Sequence, residues 1–145
     1  MHTHILIPTD GSERSRQAIT AGMHLAAALR AKVTVLTATP PIPLIALEGL
    51  VAPVHNEELE QNDRDYAKKC LDVASEAAVA AGIRCEAMHA KHDQPWAAII
   101  ETAERKGCDL IVMASHGRRG LGRLLLGSQA VRVLTNSTIP VLICR

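Results

Sequence analysis

Aromatic residues are almost missing from this 145-residue sequence, which has one Trp, one Tyr and no Phe. Proteins that read single-stranded nucleic acids stack the bases on aromatic side chains, so this scarcity argues against that class. The formal net charge of +1 also lacks the basic excess that general nucleic-acid binding requires. We therefore expect no nucleic-acid partner.

Cysteine is also scarce, and long apolar runs are absent. The four cysteines are far apart and form no C-x-x-C pair, which favours a reduced, cytoplasmic protein. The longest apolar stretch, 40–54, contains Glu48 and four prolines and is shorter than the roughly 18 residues of a membrane span. Residues 8–11 already form a turn, too early for an export signal. The sequence thus predicts a cytoplasmic protein with no membrane segment.

Short β-branched runs alternate with Ala-rich segments along the chain. The runs typical of strands are 4–7, 33–37, 84–89, 110–113 and 141–143. Helical three-and-four spacing of apolar residues is found at 12–30, 56–81, 97–105 and from 127 onward. This alternation implies right-handed parallel crossovers. We therefore predict one α/β domain over residues 1–145, with a doubly wound, five-stranded parallel sheet of order 3-2-1-4-5 and helices on both faces.

In such a sheet, a ligand binds beyond the carboxyl ends of the strands, where the chain reverses its direction across the sheet. For the order 3-2-1-4-5, this point lies between the first and fourth strands. The turn at 8–12 follows the first strand, and the loop after the fourth, 114–128, holds four glycines and three arginines. This loop ends at Gly127-Ser128, the start of a helix whose N–H groups and dipole favour phosphate. A phosphate site is predicted here; the alternative is a plain connection with solvated arginines.

Three well-known motifs do not fit this loop. Gly117-x-x-x-x-Gly122 is not followed by the Lys and Ser or Thr of a P-loop. The dinucleotide fingerprint fails because Leu125 stands where its third glycine belongs. A nucleophile elbow would need a glycine two residues before Ser115. The loop must therefore bind phosphate in another way, if it binds it at all.

Several segments of the chain together form a specific pattern. Residues 114–128 read A-x-x-G, nine residues and then G-S. The chain also has the opening ILIPTDGS, the segment AAIIETAERKGCDLIVMASHGRRGLGRLLLGS and the closing IPVLICR. In these segments the sequence closely resembles the universal stress protein family, whose ATP-binding members carry G-x-x-G, nine residues and then G-[ST]; Ala114 replaces the first glycine. The resemblance implies an adenine-nucleotide alpha hydrolase-like fold, ATP binding with Mg²⁺ accompanying the phosphates, and a homodimer through the C-terminal strand at 141–144.

The resemblance also implies which residues line the nucleotide site. On the nucleoside side these are Pro8, Thr9, Asp10, near the ribose, and Ala38, which touches the adenine. The cleft is bordered by Met113, Ala114, His116 and Gly117. The phosphates are held from a helix N-terminus by Gly127, Ser128, Gln129 and Ala130.

Three of these residues have alternative interpretations. Ala114 is harmless if the family glycine needs only extended dihedrals, but its methyl group narrows the site if a ligand atom approaches the backbone. Asp10 is either a ligand contact or a turn residue bonded to nearby backbone N–H groups. His116 is either a general base or, more in keeping with the sequence, a cleft-lining histidine.

Three functions are compatible with these observations. The first is an ATP-binding regulator of the stress response that acts through an unknown protein partner. The second is a slow ATPase or phosphotransferase using the same cleft. The third is a dimeric stress protein that binds no nucleotide. We predict no catalytic residue and at most weak ATP hydrolysis, because no base can be placed beside the phosphates.

Two further expectations follow from the residues. His2 and His4 have no additional ligands in register, so no metal site is predicted. Trp96 and Tyr66 lie outside both switch-point loops, so adenine must be held by aliphatic contacts and backbone hydrogen bonds. The segment 39–55 remains open between a flap over the adenine pocket, a surface for a partner and a loop packed on its own domain.

Overall fold

Strands and helices alternate along the chain. The computed structural model describes residues 1–41, 44–47, 49–53, 56–116 and 125–145. The elements in chain order are β1 (His4–Pro8), α1 (Glu13–Leu29), β2 (Lys32–Thr39), β3 (Leu44–Leu47), β4 (Leu50–Pro53), α2 (Glu57–Ala81), β5 (Cys85–Lys91), α3 (Pro95–Lys106), β6 (Leu110–Ala114), α4 (Ser128–Asn136) and β7 (Val141–Cys144).

The main sheet has five parallel strands in the order β5-β2-β1-β6-β7. Numbered without the β3–β4 pair, this is the order 3-2-1-4-5, so the predicted fold class is confirmed. The register places Ile5 beside Val33 on one side and beside Leu110 on the other. Because β1 is central and covered on both faces, its apolar run is continuous rather than alternating.

The two faces of the sheet carry separate apolar cores. Ile5 and Ile7 point to the core formed with α1 and α2, whereas Leu6, between them, points to the core formed with α3 and α4. Successive side chains of a strand alternate between faces, so this single strand supplies both cores. Helices therefore cover both faces, as the sequence predicted.

The helix ends agree closely with the sequence signals. Ser12 is the N-cap of α1, and its side chain accepts a hydrogen bond from the Ser15 N–H. Asn56 caps α2 in the same way, and Gly82, with φ 66°, ends it. The third helix begins at Pro95, two residues earlier than predicted, because proline suits the first helical turn. Among the described residues, no helix combines the length and the apolar composition of a membrane span.

A small hairpin lies between β2 and α2, where the sequence predicted no strand. β3 and β4 pair antiparallel, with Leu47 opposite Leu50, and Gly49 has a φ of 82° in the turn. The strands were not predicted because proline normally indicates a loop, and several prolines occur in and around this segment. Residues 42, 43, 48, 54 and 55 lie outside the described residues, and the role of the segment stays open.

The amino end of β1 carries a buried histidine. His4 is 5% exposed, and its Nε2 lies 2.8 Å from Thr34 Oγ1. Burial keeps the pKa of His4 below its usual value near 6.5, and the charge of Lys32 lowers it further. The pKa of His89, on β5, is lowered for the same main reason. Both rings therefore favour the neutral form in the folded protein.

We expect this protein to lose stability as the pH falls below about 6.5. Above that value the histidines are neutral in both states; below it the unfolded chain gains protons that the folded chain resists, so unfolding is favoured. In His4→Gln, the free energy of unfolding measured by urea denaturation should decrease less between pH 7 and pH 5 than it does in the wild type. The remaining decrease should be the contribution of His89. His24→Gln, on the exposed side of α1, is the control. An unchanged slope for His4→Gln would contradict the assignment.

Candidate functional site

A cleft of about 450 Å³ lies at the carboxyl ends of β1, β2 and β6. This volume is within the usual range for small-molecule sites, roughly 300–1,000 Å³. Its lining residues are Pro8, Thr9, Asp10, Ser15, Leu36, Ala38, Pro95, Ile99, Met113, Ala114, Ser115, His116, Gly127, Ser128, Gln129 and Ala130. The cleft is therefore located at the switch point of the sheet, between the first and fourth strands of the predicted order.

The structure brings the sequence-predicted site residues together in this cleft. Every one of the twelve lines it except Gly117, which lies outside the described residues. Five lining residues were missed: Ser15, Leu36, Pro95, Ile99 and Ser115. Leu36 could have been found, because it lies on the same face of its strand as Ala38, two residues later. What the twelve residues bind stays a prediction.

The turn after β1 is held firmly by hydrogen bonds. The Thr9 N–H donates to the Leu36 carbonyl at 2.8 Å, and Thr37 Oγ1 donates to the Thr9 carbonyl at 3.0 Å. Gly11 has a φ of 78°, in the left-handed region that favours glycine. From α2, Tyr66 Oη donates to the Asp10 carbonyl at 2.5 Å. The turn thus has a fixed shape on which the cleft is built.

Asp10 has the turn role, one of the two that the sequence left open, and it also lines the cleft. Its Oδ1 accepts a hydrogen bond from the Ser12 N–H at 2.9 Å, which is the turn role. The residue also lines the cleft. A carboxylate has about four acceptor sites, so such a side chain can accept more than one hydrogen bond.

The start of α4 forms one wall of the cleft. The first backbone hydrogen bond of this helix runs from the Val131 N–H to the Gly127 carbonyl at 3.0 Å. The amides of residues 128–130 precede that bond, and the first N–H groups of a helix have no partner within the helix. The N-cap of α4 is Gly127, which has no side chain to cap these amides. These amides and the positive end of the helix dipole suit an anion.

Position 127 favours glycine because there is little room for a side chain. Its φ of −62° and ψ of 154° are accessible to any residue. A Cβ here, however, would stand 3.0 Å from the Ser115 carbonyl oxygen and 3.2 Å from His116 Cα. The Gly127 N–H donates to that same carbonyl at 2.7 Å. The close approach of these two backbone segments brings the start of α4 against the end of β6.

Gln129 joins the starts of two helices. Its Oε1 accepts a hydrogen bond from the Trp96 N–H at 2.9 Å, in the first turn of α3. The N-cap of α3, Gln94, makes no side-chain capping bond. Gln129 therefore caps α3 from α4, and both helices begin at the cleft.

Apolar and polar groups of the cleft come from different elements. The apolar wall is built by β2, α3 and β6 through Leu36, Ala38, Pro95, Ile99 and Met113. The polar groups come from the turn after β1, from residues 115–116 and from the start of α4. Neither Trp96 nor Tyr66 lines the cleft. The cleft therefore has aliphatic side chains that can pack against a flat ring, and it has hydrogen-bond donors that can bind an anion.

His116 is nearly buried at the cleft, with 5% of its surface exposed. Its Nδ1 lies 3.0 Å from Ser115 Oγ and 3.2 Å from Arg14 Nη1. No carboxylate within the described part of the chain is bonded to its ring. Residues 1–41, 44–47, 49–53, 56–116 and 125–145 also contain no group of three His, Cys, Asp or Glu side chains able to hold a metal. These contacts give no support to the general-base interpretation.

Comparisons with known proteins agree with this geometry. A family model described as the universal stress protein family matches residues 1–145. Universal stress protein YxiE of Bacillus subtilis is 34% identical, with both chains covered fully. The structure of MJ0577 of Methanocaldococcus jannaschii has a TM-score of 0.79 at 25% identity and covers 99% of this chain and 95% of its own. A universal stress protein solved in complex with cAMP has a TM-score of 0.72 at 28% identity, with coverages of 99% and 97%. This chain therefore belongs to the universal stress protein family.

Proposed function

We propose that residues 1–145 form one nucleotide-binding domain, which binds an adenine nucleotide, ATP in the first place, in the cleft at the end of the sheet. The observation that carries this proposal is the start of α4, whose leading amides lie at a cleft with an apolar wall. The amides can donate hydrogen bonds to phosphate, and the apolar wall can pack against a purine ring. The similar protein solved with cAMP supports the choice of an adenine nucleotide.

Each part of the nucleotide has a matching group of residues. The adenine ring packs against Leu36, Ala38 and Ile99. The ribose hydroxyls donate to the Asp10 carboxylate. The phosphates accept from the amides of 128–130 and from the Ser128 hydroxyl. Mg²⁺ enters with the phosphates and keeps several water ligands, which suits a cleft whose described residues form no metal-binding group of their own.

The proposal is tested by incubating the purified protein with ATP and Mg²⁺, removing free nucleotide and identifying what is released on denaturation by mass spectrometry. We expect ATP to be recovered and GTP, offered as the control, to be recovered less. Recovery of no adenine nucleotide at millimolar ATP would refute the proposal. Following ADP over hours separates the alternatives, because a nucleotide-dependent regulator retains ATP, whereas a slow ATPase converts it.

We further propose that the protein acts as a homodimer through β7, in the cytoplasm, and transmits the nucleotide state to a protein partner. β7 is an edge strand of the sheet, and Leu142 on it is 43% exposed. An apolar edge strand is an aggregation risk unless it is covered. Leu142→Lys should therefore shift the mass measured by light scattering from dimer to monomer, whereas Val79→Lys, at a still more exposed apolar site on α2, should not. A wild-type monomer would contradict the dimer.

A further inference from the structure

Arg14, in the first turn of α1, contacts the nearly buried ring of His116. Its Nη1 lies 3.2 Å from His116 Nδ1, and Ser115 Oγ lies 3.0 Å from the same nitrogen. Arg14 is half-buried and does not itself line the cleft, whereas His116 does. Within the part of the chain that the structure describes, no carboxylate forms an ion pair with Arg14. The Arg14 guanidinium thus forms its side-chain hydrogen bond with the imidazole of His116.

The two partners of Nδ1 decide where the ring proton lies. A guanidinium only donates hydrogen bonds, so Nδ1 must accept from Arg14. A serine hydroxyl donates or accepts, so Ser115 is compatible with either form of the ring. In a neutral imidazole one nitrogen accepts and the other carries the proton. Arg14 therefore places the proton of His116 on Nε2.

The opposite edge of the ring faces the start of α4. His116 Cδ2, which is bonded to Nε2, lies 3.7 Å from the position of a Cβ on Gly127. The amides of 128–130 follow directly in the chain. Nε2 is the ring atom next to Cδ2, and His116 lines the same cleft as residues 127–130. An N–H on Nε2 is therefore available to a phosphate oxygen bound in this cleft.

We infer that Arg14 is a positioning residue of the nucleotide site: by donating to Nδ1 it keeps His116 in the form whose Nε2–H donates to a phosphate of the nucleotide. This inference rests on the proposed function and assigns a role to a residue outside the cleft. Among the described lining residues, the other ionisable side chain is Asp10, which cannot donate when ionised. Arg14 acts through His116 and does not touch the ligand.

Two substitutions of His116 separate its nitrogens. An asparagine amide ends near the place of Nδ1, so His116→Asn keeps an acceptor for Arg14 and loses the donor at Nε2. A glutamine amide ends near the place of Nε2, so His116→Gln keeps that donor. We expect His116→Asn to weaken ATP binding about tenfold or more, as for the loss of a hydrogen bond to a charged group, and His116→Gln to weaken it much less. Adenosine, which lacks phosphate, should bind both variants equally well.

Arg14→Met completes a double-mutant cycle with His116→Gln. In the wild-type background it should weaken ATP binding by up to about threefold, because the ring can then also carry its proton on Nδ1 and only the fraction of molecules with Nε2–H remains competent. In the His116→Gln background it should have no further effect, because an amide N–H needs no tautomer. Arg14→Lys, which still donates, should retain most of the affinity. Equal losses from Arg14→Met in both backgrounds would overturn the inference, since Arg14 would then act directly or through the fold.

A nucleotide-free measurement keeps this test separate from the proposed function. Nitrogen-15 NMR of the histidine rings at pH 8 reports which nitrogen carries the proton. We expect His116 to show Nε2–H alone in the wild type and both forms in Arg14→Met. A wild-type ring protonated on Nδ1, or an unchanged pattern in the variant, would overturn the role of Arg14. If the tautomer result holds but ATP does not bind, the proposed function fails and the assignment of the proton stands.

Discussion

Gly127→Leu is expected to abolish ATP binding at millimolar nucleotide while the protein stays folded. The new side chain cannot fit between the start of α4 and residues 115–116, where even a Cβ would stand 3.0 Å from a carbonyl oxygen. The helix start must move away, and the amides of 128–130 move with it. Because phosphate contacts depend on placement to a fraction of an ångström, a displaced helix start loses them together. Gly127→Ala, with one methyl group, should weaken binding about tenfold at a cost of ~1–3 kcal/mol of overpacking.

Binding is measured by isothermal titration with ATP, and folding is checked by circular dichroism and thermal melting. Thr135→Ala, on the exposed side of the same helix, is the matched control and should bind as the wild type does. A Gly127→Leu variant that is folded and still binds ATP with unchanged affinity would show that the phosphates lie elsewhere.

Gly22→Ala is expected to lower the free energy of unfolding by about 2 kcal/mol, although alanine is normally the better helix residue by up to ~1 kcal/mol. Gly22 is on the buried side of α1, and a Cβ there would overlap the Cδ1 atom of Ile7 in the middle of β1. Ile7 is fully buried, so its Cδ1 can move aside only by pushing on its neighbours in a close-packed core. Either this strain or a small shift of α1 away from the sheet accounts for the loss.

The contact is tested by a double-mutant cycle in urea unfolding. Ile7→Val removes Cδ1, and alone it should cost ~0.5–1.5 kcal/mol. Combined with Gly22→Ala it should cost clearly less than the sum of the two single changes, because the added methyl group takes the vacated space. Ala27→Ser, at an exposed position of α1, should change little. Additive effects of Gly22→Ala and Ile7→Val would contradict the close contact between α1 and β1.

The fold was largely predictable because the signals were local and agreed with one another. The continuous apolar run at 4–7 is typical of a strand buried on both faces, and the helical spacing at 12–30 and 56–81 begins and ends within one residue of α1 and α2. The hairpin of β3 and β4 was not predictable in this way. Its prolines indicate a loop, and the strands depend on pairing with each other, which no local pattern reports.

The cleft was predictable where residues end a strand or lead into a helix, as at Pro8 and Gly127, whereas Ala38 was implied by the family resemblance. The sequence did not reveal Pro95 and Ile99, because they reach the cleft through the packing of α3 on the sheet. Nor did it reveal the contact of Arg14 with His116, 102 residues apart in the chain. Such contacts depend on the assembled fold. The sequence therefore indicated where the cleft lies, but not the residues that reach it, or support it, from elsewhere in the chain.

The most direct test of the nucleotide site is an amide NMR titration of the protein with ATP and, separately, with adenosine. We expect ATP to shift the backbone amides of 128–130 downfield in a saturable way, because they become donors to phosphate. Adenosine should leave these three amides nearly unchanged and shift those near Leu36 and Ile99. If saturating ATP leaves the amides of 128–130 unmoved, or if the shifts concentrate away from this cleft, the site proposed for the nucleotide is wrong.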